Sequence, residues 1–335
     1  MRIIDAHIHV NADDEGTQTL LKELDVGLLN ICVAIDDWHT TTCPAFRALA
    51  QADESRCAWC TTFPLPSFDD SGAVRGEYAD RAVEGIARDV AAGAVAVKAW
   101  KNIGMELQRP NGEMVLIDDE IFDPIFGYCA AEGIPMIMHI GEPRACWRPV
   151  TEPSPHADYY REHPEWHMYG RADMPSHGEL VDARDRVLHK HPRLRVVGAH
   201  LGSLEYDVSE VADRLDRYPN FAVDVSARLG DLLTQNSRTV AEFLNAYADR
   251  VIFGTDVVAK DSLAAASEER RQAVRESLRR TYRDYTRYFE TDEIVSHAGE
   301  QAEGVALSEA VISRIYRKNA LDWYPALRNH REFAS

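Results

Sequence analysis

Short runs of apolar residues recur along the chain and alternate with longer stretches whose apolar positions fall three and four apart. Residues 3–10, Ile-Ile-Asp-Ala-His-Ile-His-Val, have the composition of a buried strand. Neighbouring side chains on a strand point to opposite faces. Asp5, His7 and His9 are therefore expected on one face, and Ile4, Ala6, Ile8 and Val10 on the other. Residues 17–28 predict a helix, with Leu20, Leu21, Leu24 and Leu28 on one buried side. A second strand is expected over 30–35, a helix over 42–52 and a third strand over 57–63. Residues 79–92 form an amphipathic helical pattern stopped by Gly93, and 94–100 the fourth strand. A helix over 122–132, stopped by Gly133, leads to a fifth strand at 135–139. After a long irregular stretch come a helix over 177–191, a strand at 195–200, a helix over 208–218 and a strand at 221–225. A helix around 240–247 precedes the eighth strand at 250–256, and the rest reads as helical, chiefly over 267–290 and 308–319.

Eight short strands alternating with helices predict an all-parallel α/β sheet, and eight is the number that closes a (β/α)8 TIM barrel. With no internal repeat or low-complexity linker, residues 1–335 read as a single barrel domain. Residues 141–176 form a long insertion after the fifth strand, read as a lid or subunit contact, and extra helices follow the eighth.

The polar residues fall where such a barrel builds its chemistry. Several apolar runs end on one polar side chain: His7 and His9, then Lys98, His139, His200 and Asp256. In a parallel barrel all these strand ends meet at one mouth. Imidazole and carboxylate groups converging from five strands suit a divalent metal such as zinc, and a lysine joins them when carboxylated.

Composition narrows the partners. A formal charge of −18 argues against nucleic acid and anionic membranes as partners, since both call for basic surfaces. It does not exclude a small anionic substrate, which feels only the field of its cleft. No 20-residue apolar span and no signal peptide is visible, so a cytoplasmic location is expected. Six cysteines make no disulfide framework. Cys57-Ala-Trp-Cys60 has C-x-x-C spacing inside a strand, where its two ends face opposite sides, and is read as buried and reduced.

Asp5-Ala-His7-Ile-His9, Met138-His139-Ile-Gly, Gly198-Ala-His200-Leu-Gly202 and Phe253-Gly-Thr-Asp256 together resemble the amidohydrolase superfamily. The nearest branch is the amidohydrolase-related (amidohydrolase 2) group that includes aminocarboxymuconate semialdehyde decarboxylase and γ-resorcylate decarboxylase. The resemblance runs from the first strand through the eighth and on to a closing helix at 307–324. It implies a metal-dependent hydrolase type of barrel in which His7, His9, His139 and Asp256 hold a divalent metal, zinc or manganese. His200 and Asp256 would then be the catalytic acid/base groups. In binuclear relatives the sixth-strand histidine binds a second ion and a carboxylated lysine bridges the pair, a place Lys98 could fill. One ion is favoured over two.

Two reactions suit this constellation. The first is hydrolysis of a small carboxylate-bearing amide, lactone or ester by activated water. The alternative is a nonoxidative decarboxylase or other lyase on the same cage, with His200 protonating carbon. Arg144, Arg228 and Lys98 are the expected contacts for an anionic substrate, with Lys101 and Arg148 nearby. The insertion carries Trp147, Tyr159, Tyr160, Trp166, His167, Tyr169 and His177. His163-Pro-Glu-Trp-His167 lacks the order of a zinc-protease motif, and His189 and His191 read as structural. Trp38 and His39 could reach the mouth, and a homo-oligomer is compatible with the insertion.

Overall fold

A computed structural model describes residues 2–10, 19–20, 22–32, 43–259, 266–330 and 333. Its sheet runs in sequence order: β1 (Ile3–Val10), β2 (Val26–Asn30), β3 (Cys57–Thr62), β4 (Ala94–Ala99), β5 (Met136–Met138), β6 (Val196–Gly198), β7 (Phe221–Asp224) and β8 (Val251–Ile252). Each pairs in parallel with the next. The ring closes where the chain after β8 returns along β1. The Ala6 N–H donates to the Phe253 carbonyl (3.0 Å), and the His7 carbonyl accepts from Thr255 (3.2 Å) and Asp256 (2.7 Å). A short β9 (Val258–Ala259) then pairs with His9 and Val10. The fold is the expected (β/α)8 barrel.

Two buried layers follow from the alternation along the strands. Ile4, Ala6, Leu29, Ala58, Cys60, Ala96, Ile137, Val197, Ala222 and Ile252 pack in one cluster, which fills the barrel and is joined by Tyr324 and Leu327 near the chain end. A larger cluster lies between sheet and helices, including Ile86 and Phe126 from helices Tyr78–Ala91 and Asp123–Glu132.

Three expectations change. The second strand begins at Val26, inside the stretch expected to be helical, because pairing of Val26 with Ile3 and Leu28 with Asp5 overrides the helical spacing of Leu24 and Leu28. The chain is not helical throughout after β8. Helix Glu268–Glu290 is followed by a hairpin, β10 (Ile294–His297) and β11 (Glu300–Glu303), turning at Ala298 and Gly299, both at positive φ. The helical pattern over 308–319 widens into a π turn at Arg314–Lys318, where the Ile315 carbonyl accepts from the Phe253 N–H (3.0 Å).

The third change concerns β1 itself. Asp5 pairs with Leu28 but Ile8 with Asn30, so three residues of β1 span two of β2: a bulge. Ile4 and Ala6 face the barrel interior, whereas Ile3, Ile8 and Val10 face the helices. Asp5 is thereby separated from His7 and His9. It turns to the helix layer, where its carboxylate accepts from the Tyr282 hydroxyl (2.7 Å), the Thr255 hydroxyl (2.6 Å) and the Thr255 N–H (3.1 Å). Burial pushes its pKa up to about 7 despite these donors. Asp5 ties β1 to β8 and takes no part in the mouth.

Candidate metal centre and active-site cavity

The bulge sends His7 and His9 inward at the mouth end of β1, where the chain after β8 delivers Asp256. The His9 Nε2 lies 3.0 Å and the His7 Nε2 3.5 Å from the Asp256 Oδ1. Glycine at position 254 is required for this approach, since a β-carbon there would sit 2.8 Å from that of His7. Asp256 itself adopts φ of +60°, in the left-handed region that asparagine and aspartate tolerate best.

On the far side, His200 also sits at positive φ (+59°), immediately beyond β6. Its backbone N–H donates to the Asp224 Oδ1 at 2.9 Å, which holds it in that conformation. Gly198 is needed because a β-carbon would meet Phe221 at 2.6 Å and Gly202 at 2.9 Å. The His200 ring lies 4.8 Å from that of His7 and 4.4 Å from that of His139, centroid to centroid.

The hydrogen bonds behind these rings fix which nitrogen faces the cavity. The His9 Nδ1 is 2.6 Å from the Ile31 carbonyl, the His7 Nδ1 2.8 Å from the Asp224 Oδ2, and the His200 Nδ1 2.9 Å from the Ser226 carbonyl. Each partner is an acceptor, so each Nδ1 carries the proton and each Nε2 keeps its lone pair. Burial holds His7, His139 and His200 below the ordinary imidazole range, well below for the last two. Neutral imidazoles are the form that binds metal.

This donor set fits a divalent ion. His7, His9 and Asp256 bring ligand atoms within 4.8 Å of one another. The His9 lone pair faces a carboxylate oxygen at 3.0 Å, a repulsive arrangement unless a cation stands between them. The His139 Nε2 is buried without a hydrogen-bond partner among the described residues, beside the same cavity. A second group, His7, Asp224 and His200, meets around the Ser226 hydroxyl, which lies 3.1 Å from the His7 Nδ1 and 2.9 Å from the His200 Nδ1. Its contacts are hydrogen bonds through the Nδ1 atoms, so it serves orientation. Burial alone would raise the Asp224 carboxyl. The His7 ring, the Ser226 hydroxyl and the backbone N–H groups of His200 and Ser226 hold it well below the usual range.

A cavity of about 450 Å³ opens above this cluster, lined by His9, Lys98, His139, His200, Arg228 and Asp256, and walled by Trp100, Glu142, His156, Tyr159 and Tyr160. Lys98 is buried (1%) rather than at the rim, with its Nζ 3.4 Å from the His7 Nε2, and burial lowers its pKa. The Arg228 guanidinium is buried, donating from Nη1 to the Ala227 carbonyl (2.9 Å). Its Nε has no hydrogen-bond partner among the described residues, the Asp231 carboxylate standing 3.9 Å off. Lys101 is engaged by Glu142 and lies over the Trp166 ring at 3.8 Å.

Arg144 is not brought to this cavity. Its guanidinium lies over the Tyr206 ring at 4.4 Å, in a neighbouring cavity of about 430 Å³ that shares His156 and Tyr160 with the first. Arg148, also there, pairs with Glu152. Of the insertion, Glu142, Pro143, His156, Tyr159 and Tyr160 line the first cavity. The His177 Nε2 is 2.8 Å from the Ser203 carbonyl, and the His191 Nε2 2.9 Å from Asp123, both structural contacts. Trp38 and His39 lie outside the described residues.

The neighbouring cavity is lined by residues that the strand-end pattern passed over. Asp231 receives the His156 Nε2 on both oxygens (2.9 and 3.0 Å). Glu205 accepts from the Arg144 N–H (2.7 Å), while its Oε2 is buried without a hydrogen-bond partner among the described residues. Burial, with the charge of Asp231, pushes Glu205 from its ordinary 4.5 up to about 6. Its protonated form therefore stabilises the fold fully below pH 4.5, and that contribution, about 2 kcal/mol, is lost as pH rises through 6. Glu205→Gln lacks the titration. Between pH 4.5 and 7.5 the wild type should lose about 2 kcal/mol of stability relative to this variant, read from thermal unfolding. An identical pH response in the two proteins would contradict the assignment.

The amidohydrolase family model matches residues 4–326, so the chain belongs to the amidohydrolase family. It is an enzyme of that superfamily. No curated protein matches it. Among solved structures, 2,6-dihydroxybenzoate decarboxylase from Rhizobium is similar at 15% identity, over 96% of this chain and 98% of that one, with a TM-score of 0.56. The 4-oxalomesaconate hydratase from Rhodopseudomonas palustris follows at 13%, over 98% and 97%, with 0.53. A probable 2-pyrone-4,6-dicarboxylic acid hydrolase from Acinetobacter baumannii matches at 12%, over 97% and 100%, with 0.50. At such identities the likeness establishes the shared barrel; the reaction must be argued from this chain's own residues. No helix among the described residues is long and apolar enough to cross a membrane.

Proposed function

We propose that the chain is a metal-dependent hydrolase of a small carboxylate-bearing molecule, an amide, lactone or ester. The observation that carries this reading is Arg228, a buried guanidinium whose Nε–H has no hydrogen-bond partner among the described residues, lining the cavity that His9, His139, His200 and Asp256 also line. His7, His9, His139 and Asp256 would hold one divalent ion, zinc or manganese. Such an ion supplies Lewis acidity, polarising a carbonyl oxygen and making water a competent nucleophile near neutral pH. Asp256 takes the proton of the attacking water. His200, its Nδ1–H fixed on the Ser226 carbonyl, presents the Nε2 lone pair to the cavity, receives that proton from Asp256 and passes it to the leaving group. Arg228 and Lys98 hold the substrate carboxylate.

The second reading is a nonoxidative decarboxylase or another lyase. Lys98, 3.4 Å from the His7 Nε2, favours it by placing a cation where a reacting carboxylate would lie against the ligand cluster. Assay in ¹⁸O-labelled water of small carboxylate-bearing lactones, esters and N-acyl amino acids separates the two. Label in a new carboxylate supports hydrolysis, and carbon dioxide release from unsaturated or aromatic acids without label overturns it. With the substrate so found, Arg228→Met should raise KM by about 10- to 100-fold, the loss expected for a buried charged hydrogen bond, with a smaller change in kcat. An unchanged KM would remove Arg228 from the site.

A further inference from the structure

The C-x-x-C spacing of Cys57 and Cys60 pairs neither residue with the other, because Cys57 packs in the layer beneath the helices and Cys60 inside the barrel. Cys60 has a different neighbour. β2 and β3 pair in register with Asn30 opposite Trp59, and this carries the chain beyond β2 past Cys60. The Cys32 Sγ lies 3.5 Å from the Cys60 Sγ, and the Cys32 N–H donates to that same sulfur at 3.2 Å. Both thiols are free and buried, and neither has a part in the proposed hydrolysis. Cys32 belongs to the wall of the metal cavity, together with His9 and Lys98.

We propose that Cys32 and Cys60 form a peroxide-oxidisable dithiol in the floor of the metal cavity, closing to a disulfide that loosens His9. Three features of the site support it. The sulfurs are already in contact across adjacent chain segments, so closure needs a shift of side chains and little movement of backbone. The Cys32 N–H, donating to the Cys60 sulfur, and the Lys98 ammonium favour the thiolate on Cys60. Cys32 directly follows Ile31, whose carbonyl fixes the His9 Nδ1 at 2.6 Å, so strain at Cys32 is transmitted to a proposed metal ligand.

The chemistry balances with hydrogen peroxide as oxidant. The Cys60 thiolate attacks one peroxide oxygen, the O–O bond breaks, and hydroxide leaves with the proton given up by the thiol, as water. The resulting Cys60 sulfenic acid is attacked by the Cys32 sulfur. The S–S bond forms, the S–O bond breaks, and hydroxide departs as a second water with the Cys32 proton. Two thiols are oxidised and one peroxide is reduced.

The test uses the intact, metal-loaded protein and hydrogen peroxide, and its primary readout needs no substrate. After treatment, thiols are counted under denaturing conditions and the cross-link is mapped by peptide mass spectrometry. Two of the six thiols should be lost, in a single Cys32–Cys60 linkage that dithiothreitol reverses. Metal affinity of the oxidised protein should fall about 10- to 100-fold and recover on reduction, the loss expected when a ligand's outer hydrogen bond is disturbed. Cys57→Ala should cross-link as the wild type does, and Cys60→Ser should not. Six intact thiols, a linkage between other cysteines, or oxidation of one sulfur to sulfinic acid would each overturn the proposal. A cross-link that leaves metal affinity unchanged would overturn its coupling to His9. Because thiol mapping is independent of turnover, a failed hydrolase assay leaves this result readable on its own.

Discussion

Replacing His200 by asparagine is expected to lower turnover by about 10²- to 10⁴-fold, the usual contribution of a positioned acid/base group, while metal content and fold are kept. Three structural facts make the substitution selective. His200 sits at φ +59°, a conformation asparagine adopts more readily than most residues, so the backbone beyond β6 is not strained by the change. Its backbone N–H bond to Asp224 does not depend on the side chain. The side-chain amide can still donate to the Ser226 carbonyl, as the His200 Nδ1 does now. What is lost is the cavity-facing Nε2, the atom assigned to the leaving-group proton. Elemental analysis and turnover on the hydrolysed substrate, measured together, check the prediction. Loss of about half the metal would place His200 in a two-ion cage instead, and retained turnover would remove it from the chemistry.

The fold was legible because its governing signal is local. Apolar runs, glycine stops and helical spacing lie within windows of about ten residues, and eight repeats of strand then helix leave few closed arrangements. The site was legible to the extent that strand ends carry it: the same rule that marked His7, Lys98, His139, His200 and Asp256 also applies to β7, whose run ends in Asp224. Asp224 was passed over although the signal was present. The side of the sheet taken by Asp5 was not legible. It depends on one extra residue in β1 relative to β2, a bulge set by pairing with partners about 20 residues away on one side and 250 on the other. Contact between Cys32 and Cys60 is likewise a matter of register between strands, which spacing along the sequence does not carry. The place of Arg144 in the neighbouring cavity follows from the path of an irregular insertion, for which no periodicity exists. The β10–β11 hairpin is half exposed and short, but Ala298-Gly299 between two alternating tetrapeptides was a usable turn signal.

His7→Ala should have the largest effect on the metal centre. His7 joins three systems: its Nε2 faces Asp256 at 3.5 Å and Lys98 at 3.4 Å, and its Nδ1 donates to Asp224 at 2.8 Å. Removing the ring deletes one ligand and leaves the Asp224 Oδ2 without its donor. The cost to the fold is limited to about 1–3 kcal/mol, the range for one unsatisfied buried acceptor. The Asp224 Oδ1 keeps the Ser226 hydroxyl and two backbone N–H donors, and Lys98 is left free to approach the carboxylate. Metal affinity should fall by more than about a hundredfold, beyond the 10- to 100-fold typical of losing an outer partner, and turnover should fall with it. Asp224→Asn provides the comparison. It keeps the ligand but exchanges an ionised acceptor for an amide that can also donate, weakening the tautomer that frees the His7 Nε2. Its loss of affinity should therefore lie within that 10- to 100-fold range. Metal titration of the two variants alongside the wild type gives the order directly: His7→Ala weakest, Asp224→Asn intermediate. Full metal content in folded His7→Ala would mean that the ion, wherever it binds, does not bind here.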